Sequence, residues 1–117
     1  MYSITVRNNI LIAHSLPGEV FGPAQNMHGA TYIVDAEFYA KEVNKYNIIM
    51  DLGVVTEILS DVLKFYNYKN LDEIKEFKNT ITSTEFIAKD IFDKISSKLQ
   101  KDYLEAVSYT HLRAHET

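Results

Sequence analysis

The sequence predicts an α+β fold in which two long strands are followed by two amphipathic helices. Two patterns lead to this fold class. Up to about residue 39, apolar and polar residues alternate at the period of a half-buried strand. From about residue 51, apolar residues recur at helical spacing. We therefore expect an antiparallel sheet with both helices on one face. A sheet of so few strands has open edges, so we also expect a homo-oligomer.

The first predicted strand, Ser3–His14, has an irregularity in its middle. Asn8-Asn9 interrupts the alternation of apolar and polar residues, which predicts a bulge or a hairpin at this point. The following segment, Ser15–Met27, holds both prolines and two of the four glycines, so it is predicted to be a loop.

The second predicted strand runs from about His28 to Tyr39. One face is apolar and carries every second residue: His28, Ala30, Tyr32, Val34, Ala36 and Phe38. Because His28 lies at the end of this core face, we expect its imidazole to be partly buried. Such a position suits either a metal ligand or a hydrogen-bonded core histidine.

Two helices and a further strand are predicted in the rest of the chain. The first helix spans Asp51–Tyr66, with Asp51 or Thr56 near its start, and a polar connection follows over residues 67–80. The second helix is predicted to begin with a capping box, Thr82 with Glu85 three residues later. Its apolar stripe is Ala88, Ile91, Phe92, Ile95 and Leu99. Residues 103–106 could begin a third strand.

Length, composition and net charge exclude several classes of site and of partner. The 117 residues suffice for one domain with one core, and a hydrophobic share of 46% fits a folded protein. We find neither a signal-peptide pattern nor an apolar run long enough for a bilayer, so we expect a cytoplasmic location. The absence of cysteine excludes disulfides and a cysteine nucleophile. The net charge of −4 argues against nucleic acid and anionic membranes as partners.

Residues 107–117 match, residue for residue, the translation of a sequencing adapter used at transposon ends. We therefore expect residues 1–106 to form the natural domain, with its last strand or strands missing, and residues 107–117 to be an artefactual tail. The tail would replace an edge strand, leave ladder groups unpaired and make the chain poorly stable. His111 and His115 lie in this tail and are excluded as ligands.

Two remaining histidines, His14 and His28, could hold a metal ion. A second histidine two residues after His28 would point to the same face, but that position is Ala30. The intervening loop offers three further donors, Glu19, Gln25 and Asn26. Glu19 is the best of them, because a carboxylate can ligate zinc and also act as a base. The alternative for Glu19 is a solvated loop carboxylate.

Four local motifs, in order along the chain, resemble those of the 6-pyruvoyl-tetrahydropterin synthase and 6-carboxytetrahydropterin synthase family. They are Ile12-Ala13-His14; Phe21-Gly22 through His28-Gly29 to Tyr32; Ile48-Ile49-Met50-Asp51-Leu52; and Lys69-Asn70-Leu71-Asp72 followed by Thr82-Ser83-Thr84-Glu85. The resemblance covers nearly everything from Ile4 to Leu99. Each motif alone is short, and it is their order and spacing that make the match specific.

The resemblance implies a tunnelling fold (T-fold), in which chains assemble into a multimeric barrel and bind a pterin at a subunit interface. It implies zinc held by three histidines, with His14 and His28 as two of them, and a pterin held with the help of Thr84 and Glu85. In the family the zinc polarises hydroxyls of dihydroneopterin triphosphate, while a cysteine and an Asp-His pair move protons. The resemblance extends to enzymes of queuosine biosynthesis.

This sequence departs from the family at its chemical positions. The third zinc ligand falls on Ala30, the cysteine near Ala24, and the Asp-His pair on Asn67-Tyr68. Tyr68 could replace the histidine as a proton donor, because a phenol can act as a general acid. The alternatives are a packing role for Tyr68 and a turn role for Asn67.

We therefore expect a carbon–carbon or carbon–oxygen lyase that acts on a dihydroneopterin triphosphate-type substrate, with zinc at His14 and His28. The acid/base residues are open, with Glu19 and Tyr68 as candidates. The alternative is a non-catalytic or metal-independent pterin- or purine-binding protein of the same fold, for example one with aldolase chemistry.

Overall fold

The computed structural model describes residues 2–102 and 109–116. Within them lie strands β1 (Tyr2–His14), β2 (His28–Ala40), β3 (Lys69–Asn70) and β4 (Tyr109–Glu116), and helices α1 (Leu52–Leu63) and α2 (Thr84–Asp102). Three short 3₁₀ segments, Glu19–Gln25, Leu71–Glu73 and Lys75–Phe77, lie in the connections. The sheet has the order β3-β1-β2-β4.

Strands β1 and β2 form one uninterrupted antiparallel ladder. The register runs residue for residue from Tyr2 opposite Ala40 to His14 opposite His28. The predicted bulge or hairpin at Asn8-Asn9 is therefore wrong. Asn8 occupies a core-face position opposite Val34, so the period of two continues through it, and the polar side chain alone caused the apparent break.

The two outer strands extend the sheet differently. The two-residue β3 pairs with β1 in parallel, so the prediction of a wholly antiparallel sheet is corrected at this edge. Strand β4 pairs antiparallel with β2, from Tyr32 opposite Glu116 to Tyr39 opposite Tyr109. The prediction that residues 107–117 leave the ladder unpaired is thus wrong over 109–116, because ladder bonds use backbone groups that all these residues carry. The foreign origin of residues 107–117 stays a prediction, and the strand start predicted at 103–106 lies outside the described residues.

Both helices cover the same face of the sheet, as predicted. The core unites the even-numbered face of β1 and β2 with one side of each helix; its fully buried members include Ile10, Tyr32, Val34, Phe38, Val55, Ile87, Ile91 and Ile95. Burial of each large apolar side chain contributes about 1.5–3 kcal/mol to folding. The stripe of α2 follows an i, i+4 row from Ile87 to Leu99, whereas the predicted Ala88 and Phe92 flank it half-buried. The multimeric barrel stays a prediction.

The N-terminal caps of the two helices can be compared with those that the sequence predicts. Of the two residues predicted near the start of α1, Asp51 is the cap, because its carboxylate accepts from the Gly53 N–H at 2.7 Å, and Thr56 lies inside the helix. The capping box predicted at α2 is wrong: Ser83 Oγ accepts from the Phe86 N–H at 3.2 Å, and Glu85 is an exposed residue of the first turn. Thr82 lies one residue before the cap and is fully buried. Of the described helices, none is both long and apolar enough to cross a membrane.

Candidate functional site

The two histidines predicted as ligands meet at one end of the sheet. His14 ends β1 and His28 begins β2, and the ladder places them directly opposite each other. Their ring centroids lie 4.6 Å apart at an interplanar angle of 62°. His14 is completely buried, whereas His28 is half-buried. His28 is therefore the imidazole that a bound molecule reaches first.

Both imidazoles are held in the same tautomer. Nδ1 of His14 lies 2.9 Å from the carbonyl oxygen of Thr82, and Nδ1 of His28 lies 2.9 Å from that of Asn26. A carbonyl oxygen only accepts, so each Nδ1 carries the proton and donates it. In the neutral imidazole Nε2 is then the nitrogen that carries the lone pair, and this is the atom with which such a histidine binds a metal.

A polar network lies behind His14. The hydroxyl of Thr82 is 3.3 Å from Nδ1 of His14 and donates to Oδ1 of Asp72, also at 3.3 Å. Oδ2 of Asp72 accepts from both the backbone N–H and the hydroxyl of Ser15, each at 2.8 Å. The site thus rests on three segments: the end of β1, the 3₁₀ segment Leu71–Glu73 and the residues before α2.

Tyr32 connects the histidines to the start of α2. Its ring is fully buried and lies edge-on to His14, with centroids 6.0 Å apart. Its hydroxyl is 3.5 Å from Oγ1 of Thr84, the first residue of α2. Of the two residues predicted to bind substrate, Thr84 therefore belongs to the site network. Glu85 lies exposed one residue further along the helix.

The donor set does not fit the three-histidine zinc centre that the resemblance implies. Residue 30 shares the core face with His28 and lies opposite Ile12, but an alanine offers no donor atom. Among the described residues, no group of three His, Cys, Asp or Glu side chains comes together to hold a metal. Catalytic zinc usually has about three protein ligands. Two oriented imidazoles are present, and the third position is apolar.

The loop donors do not complete this set. Glu19 is exposed at the start of its 3₁₀ segment. The Gln25 amide donates to the Gly22 carbonyl at 3.1 Å, and Asn26 contributes its backbone carbonyl to His28. The described hydrogen bonds, ion pairs and ring contacts do not join Glu19 to either histidine.

Asn67 and Tyr68 form hydrogen bonds with the backbone at the edge of β1. The Asn67 side-chain oxygen accepts from the Leu11 N–H at 2.9 Å, and the Tyr68 N–H donates to the Leu11 carbonyl at 2.7 Å. Tyr68 is 79% exposed and has a φ of 61°, a left-handed conformation that is unfavourable for a bulky residue. Asn67 therefore does more than the predicted turn role requires, because its side chain also binds the backbone of β1. The described contacts do not bring Tyr68 to the histidine pair.

Sequence reasoning missed three members of this site. The sequence alone predicts a helix cap at Thr82, a motif position without an assigned role at Asp72 and a core position at Tyr32. The available signal was the pairing of Asp72 with Thr82-Ser83-Thr84 in the fourth motif, since polar residues in separated motifs often meet at one site.

Comparison with known proteins settles the family. The model of the 6-pyruvoyl tetrahydropterin synthase family matches residues 3–117. The chain belongs to this family. The 6-pyruvoyl tetrahydrobiopterin synthase of Drosophila melanogaster is 30% identical over 103 residues, which cover 85% of this chain and 59% of that relative. The chain therefore spans less than two thirds of the length of this curated relative.

Solved structures of the family show the same fold. Caenorhabditis elegans 6-pyruvoyl tetrahydropterin synthase superposes with a TM-score of 0.81 at 19% identity, covering 99% of this chain and 95% of that one. A Plasmodium vivax 6-pyruvoyltetrahydropterin synthase, a mutant in which a catalytic glutamate is replaced by alanine, gives 0.78 at 14% identity, covering 99% and 94%. The predicted T-fold is confirmed.

Proposed function

We propose that this chain is a lyase-type enzyme of the tetrahydropterin synthase family that acts on a dihydroneopterin-type pterin where His14 and His28 meet. The observation that carries the proposal is the common tautomer of the two imidazoles, each with Nδ1 donating to a backbone carbonyl. Two imidazoles oriented in this way at the end of one sheet suit a reaction that moves protons on a substrate side chain.

In this proposal His28 exchanges protons with the substrate and His14 supports it. His28 is half-buried and lies next to the fully buried His14 ring. Nε2 of His28 takes a proton from a side-chain hydroxyl or an activated C–H of the pterin, and its Nδ1 bond to Asn26 keeps the ring oriented. The same nitrogen later returns the proton when the C–C or C–O bond has broken.

The start of α2 is proposed to hold the pterin ring. A helix N-terminus presents free backbone N–H groups, and Thr84 already reaches the site through Tyr32. Glu85 is exposed, and its carboxylate can accept hydrogen bonds from the amino and ring N–H groups of a pterin. We propose Thr84 and Glu85 as substrate-binding residues on this basis.

A second acid/base group is needed, and Glu19 and Tyr68 are the proposed candidates. The Plasmodium vivax protein supports a carboxylate, since its catalytic residue is a glutamate. Glu19 lies on the segment that leads into His28. Closure of this segment over the substrate, or contact with a second copy of the chain in a homo-oligomer, is required to bring either group to the pterin.

We assign no step to a metal. Zinc held by His14 and His28 alone has one protein ligand fewer than catalytic zinc usually has. The missing donor at Ala30 also favours a second candidate function, a metal-independent pterin aldolase.

The test is turnover of dihydroneopterin triphosphate by the 117-residue chain, with products identified by mass spectrometry. We expect His28→Ala to lower kcat/KM by about 100-fold or more, the usual contribution of a general base. Glu19→Gln and Tyr68→Phe assign the second group, and Glu57→Gln, an exposed position on α1, is the matched control. Glycolaldehyde-type products in the presence of a chelator indicate the aldolase. A pterin complex that His28→Ala leaves intact and that shows no turnover refutes both enzymes.

A further inference from the structure

Asp72 connects the two segments that enclose His14. Its Oδ2 accepts the backbone N–H and the hydroxyl of Ser15, the residue that follows His14 in the chain. Its Oδ1 accepts the hydroxyl of Thr82, the residue that binds the His14 ring. One carboxylate therefore fixes His14 from its backbone side and from its ring side.

We propose that Asp72 is a positioning residue, which sets the orientation and the tautomer of His14 through Thr82 and Ser15. A role of Asp72 in catalysis rests on the proposed function, whereas the effect of Asp72 on the His14 ring does not depend on that function. Asp72 contacts neither imidazole in the described network, so it acts through its two neighbours.

The direction of the hydrogen bonds explains why a carboxylate is needed. The Thr82 hydroxyl has one proton, and donating it to Asp72 leaves the Oγ1 lone pairs facing Nδ1 of His14 at 3.3 Å. That oxygen then reinforces the Thr82 carbonyl, 2.9 Å away, as an acceptor of the Nδ1 proton. A carboxylate accepts all three donors from Ser15 and Thr82, whereas an amide has one accepting oxygen and an NH₂ group that meets a donor.

The surroundings make this arrangement specific to His14. Thr82 and His14 are both completely buried, so water cannot replace a lost partner without entering the core. The Asn70 side chain accepts from the Asp72 N–H at 3.0 Å, which fixes the backbone that carries the carboxylate. The motif Asn70-Leu71-Asp72 therefore holds the Asp72 carboxylate in place to accept from Ser15 and Thr82.

The experiment is ¹H–¹⁵N NMR of the imidazoles in the 117-residue chain without substrate. In the wild type we expect His14 to show a protonated Nδ1 that exchanges slowly with water and an unprotonated Nε2. Asp72→Asn should mix the two tautomers and speed exchange of the Nδ1 proton about tenfold or more, the effect of losing one charge-assisted hydrogen bond. Asp90→Asn is the matched control, since it removes a carboxylate bonded to Tyr66 and Lys94.

Thr82 provides a second, independent test that holds even where Asp72→Asn fails to fold. Thr82→Ser keeps the hydroxyl and should preserve the wild-type spectrum, whereas Thr82→Val removes it and should shift His14 as Asp72→Asn does. Wild-type His14 signals in Asp72→Asn or Thr82→Val overturn the proposal. Equal changes of the His14 signals in Asp90→Asn overturn it as well, because the effect is then global.

Enzyme assays separate this proposal from the proposed function. When the chain turns over a pterin, Asp72→Asn should lower kcat and leave KM near the wild-type value, since the carboxylate acts on His14 and not on the bound substrate. A chain that turns over no pterin but shows the predicted His14 shifts retains Asp72 as positioning residue and loses the lyase assignment.

Discussion

Ala30→His tests most directly whether a third imidazole at residue 30 completes a zinc site with His14 and His28. Residue 30 lies on the core face of β2, two residues from His28 and opposite Ile12. Residues i and i+2 of a strand are about 6.6 Å apart with side chains on the same side. The new imidazole therefore joins His14 and His28 on one face, which completes a three-nitrogen set with a position open for water.

The size of the effect follows from the packing of residue 30. Ala30 is half-buried and packs against the core, so the larger side chain should destabilise the metal-free protein by about 1–3 kcal/mol. Zinc at a concentration about 100-fold above its Kd stabilises the folded state by about 2.7 kcal/mol. For a domain of this size, about 4 °C per kcal/mol corresponds to a zinc-dependent rise in Tm on the order of 10 °C.

The assay is zinc content after dialysis, together with Tm measured with zinc and with a chelator. The control Ala13→His places an imidazole beside His14 but on the other face of the sheet, so it should bind no zinc through this site. Adding His28→Ala to Ala30→His should abolish the gain. One equivalent of tightly bound zinc in the wild type, or a folded Ala30→His variant that binds none, refutes the reasoning about the donor set.

Three further substitutions test the frame around the site. Burial and the neighbouring Asp90 raise the pKa of Tyr66, so above about pH 10 only the unfolded state releases this proton and the wild type loses stability. Tyr66→Phe should lower the free energy of unfolding by about 1 kcal/mol at neutral pH, measured by denaturant titration. Above about pH 10 the variant should lose less stability than the wild type, because it has no phenol that can ionise. Parallel plots of stability against pH for the two proteins in this range contradict the prediction. Asn67→Ala should cost about 1 kcal/mol and speed amide exchange at Leu11, and unchanged exchange there argues against the edge contact. Ser83→Ala should lower the free energy of unfolding by about 1 kcal/mol through loss of the α2 cap. An unchanged Tm shows that a residue other than Ser83 caps this helix.

Local periodicity predicted the α+β class and the strand positions of His14 and His28, whereas the T-fold was implied by the family resemblance. A period of two fixes the face of His14 and His28 once the core side is known, and the hairpin then places them opposite each other. Asp72 could not be assigned in this way, since its contacts with Ser15 and Thr82 join distant parts of the chain. The cap of α2 shows the same limit. In sequence Glu85 favours Thr82 as the cap, but the buried contacts of Thr82 with His14 and Asp72 leave Ser83 as the cap.

The residues at which the resemblance implies a departure from the family's chemistry all take part in contacts of the fold. The backbone carbonyl of Ala24 accepts from the Leu16 N–H at 2.9 Å, Ala30 packs against the core, and Asn67 holds the edge of β1. None of these roles needs a thiol, an imidazole or a carboxylate, so the chemistry of a position can change while its structural role continues. His14 and His28 are each held by a backbone carbonyl, and a carboxylate network lies behind His14. Such a network costs free energy unless every member is satisfied. The orientation of both imidazoles therefore rests on backbone carbonyls, and for His14 also on Thr82 and Asp72, and not on a donor at residue 30.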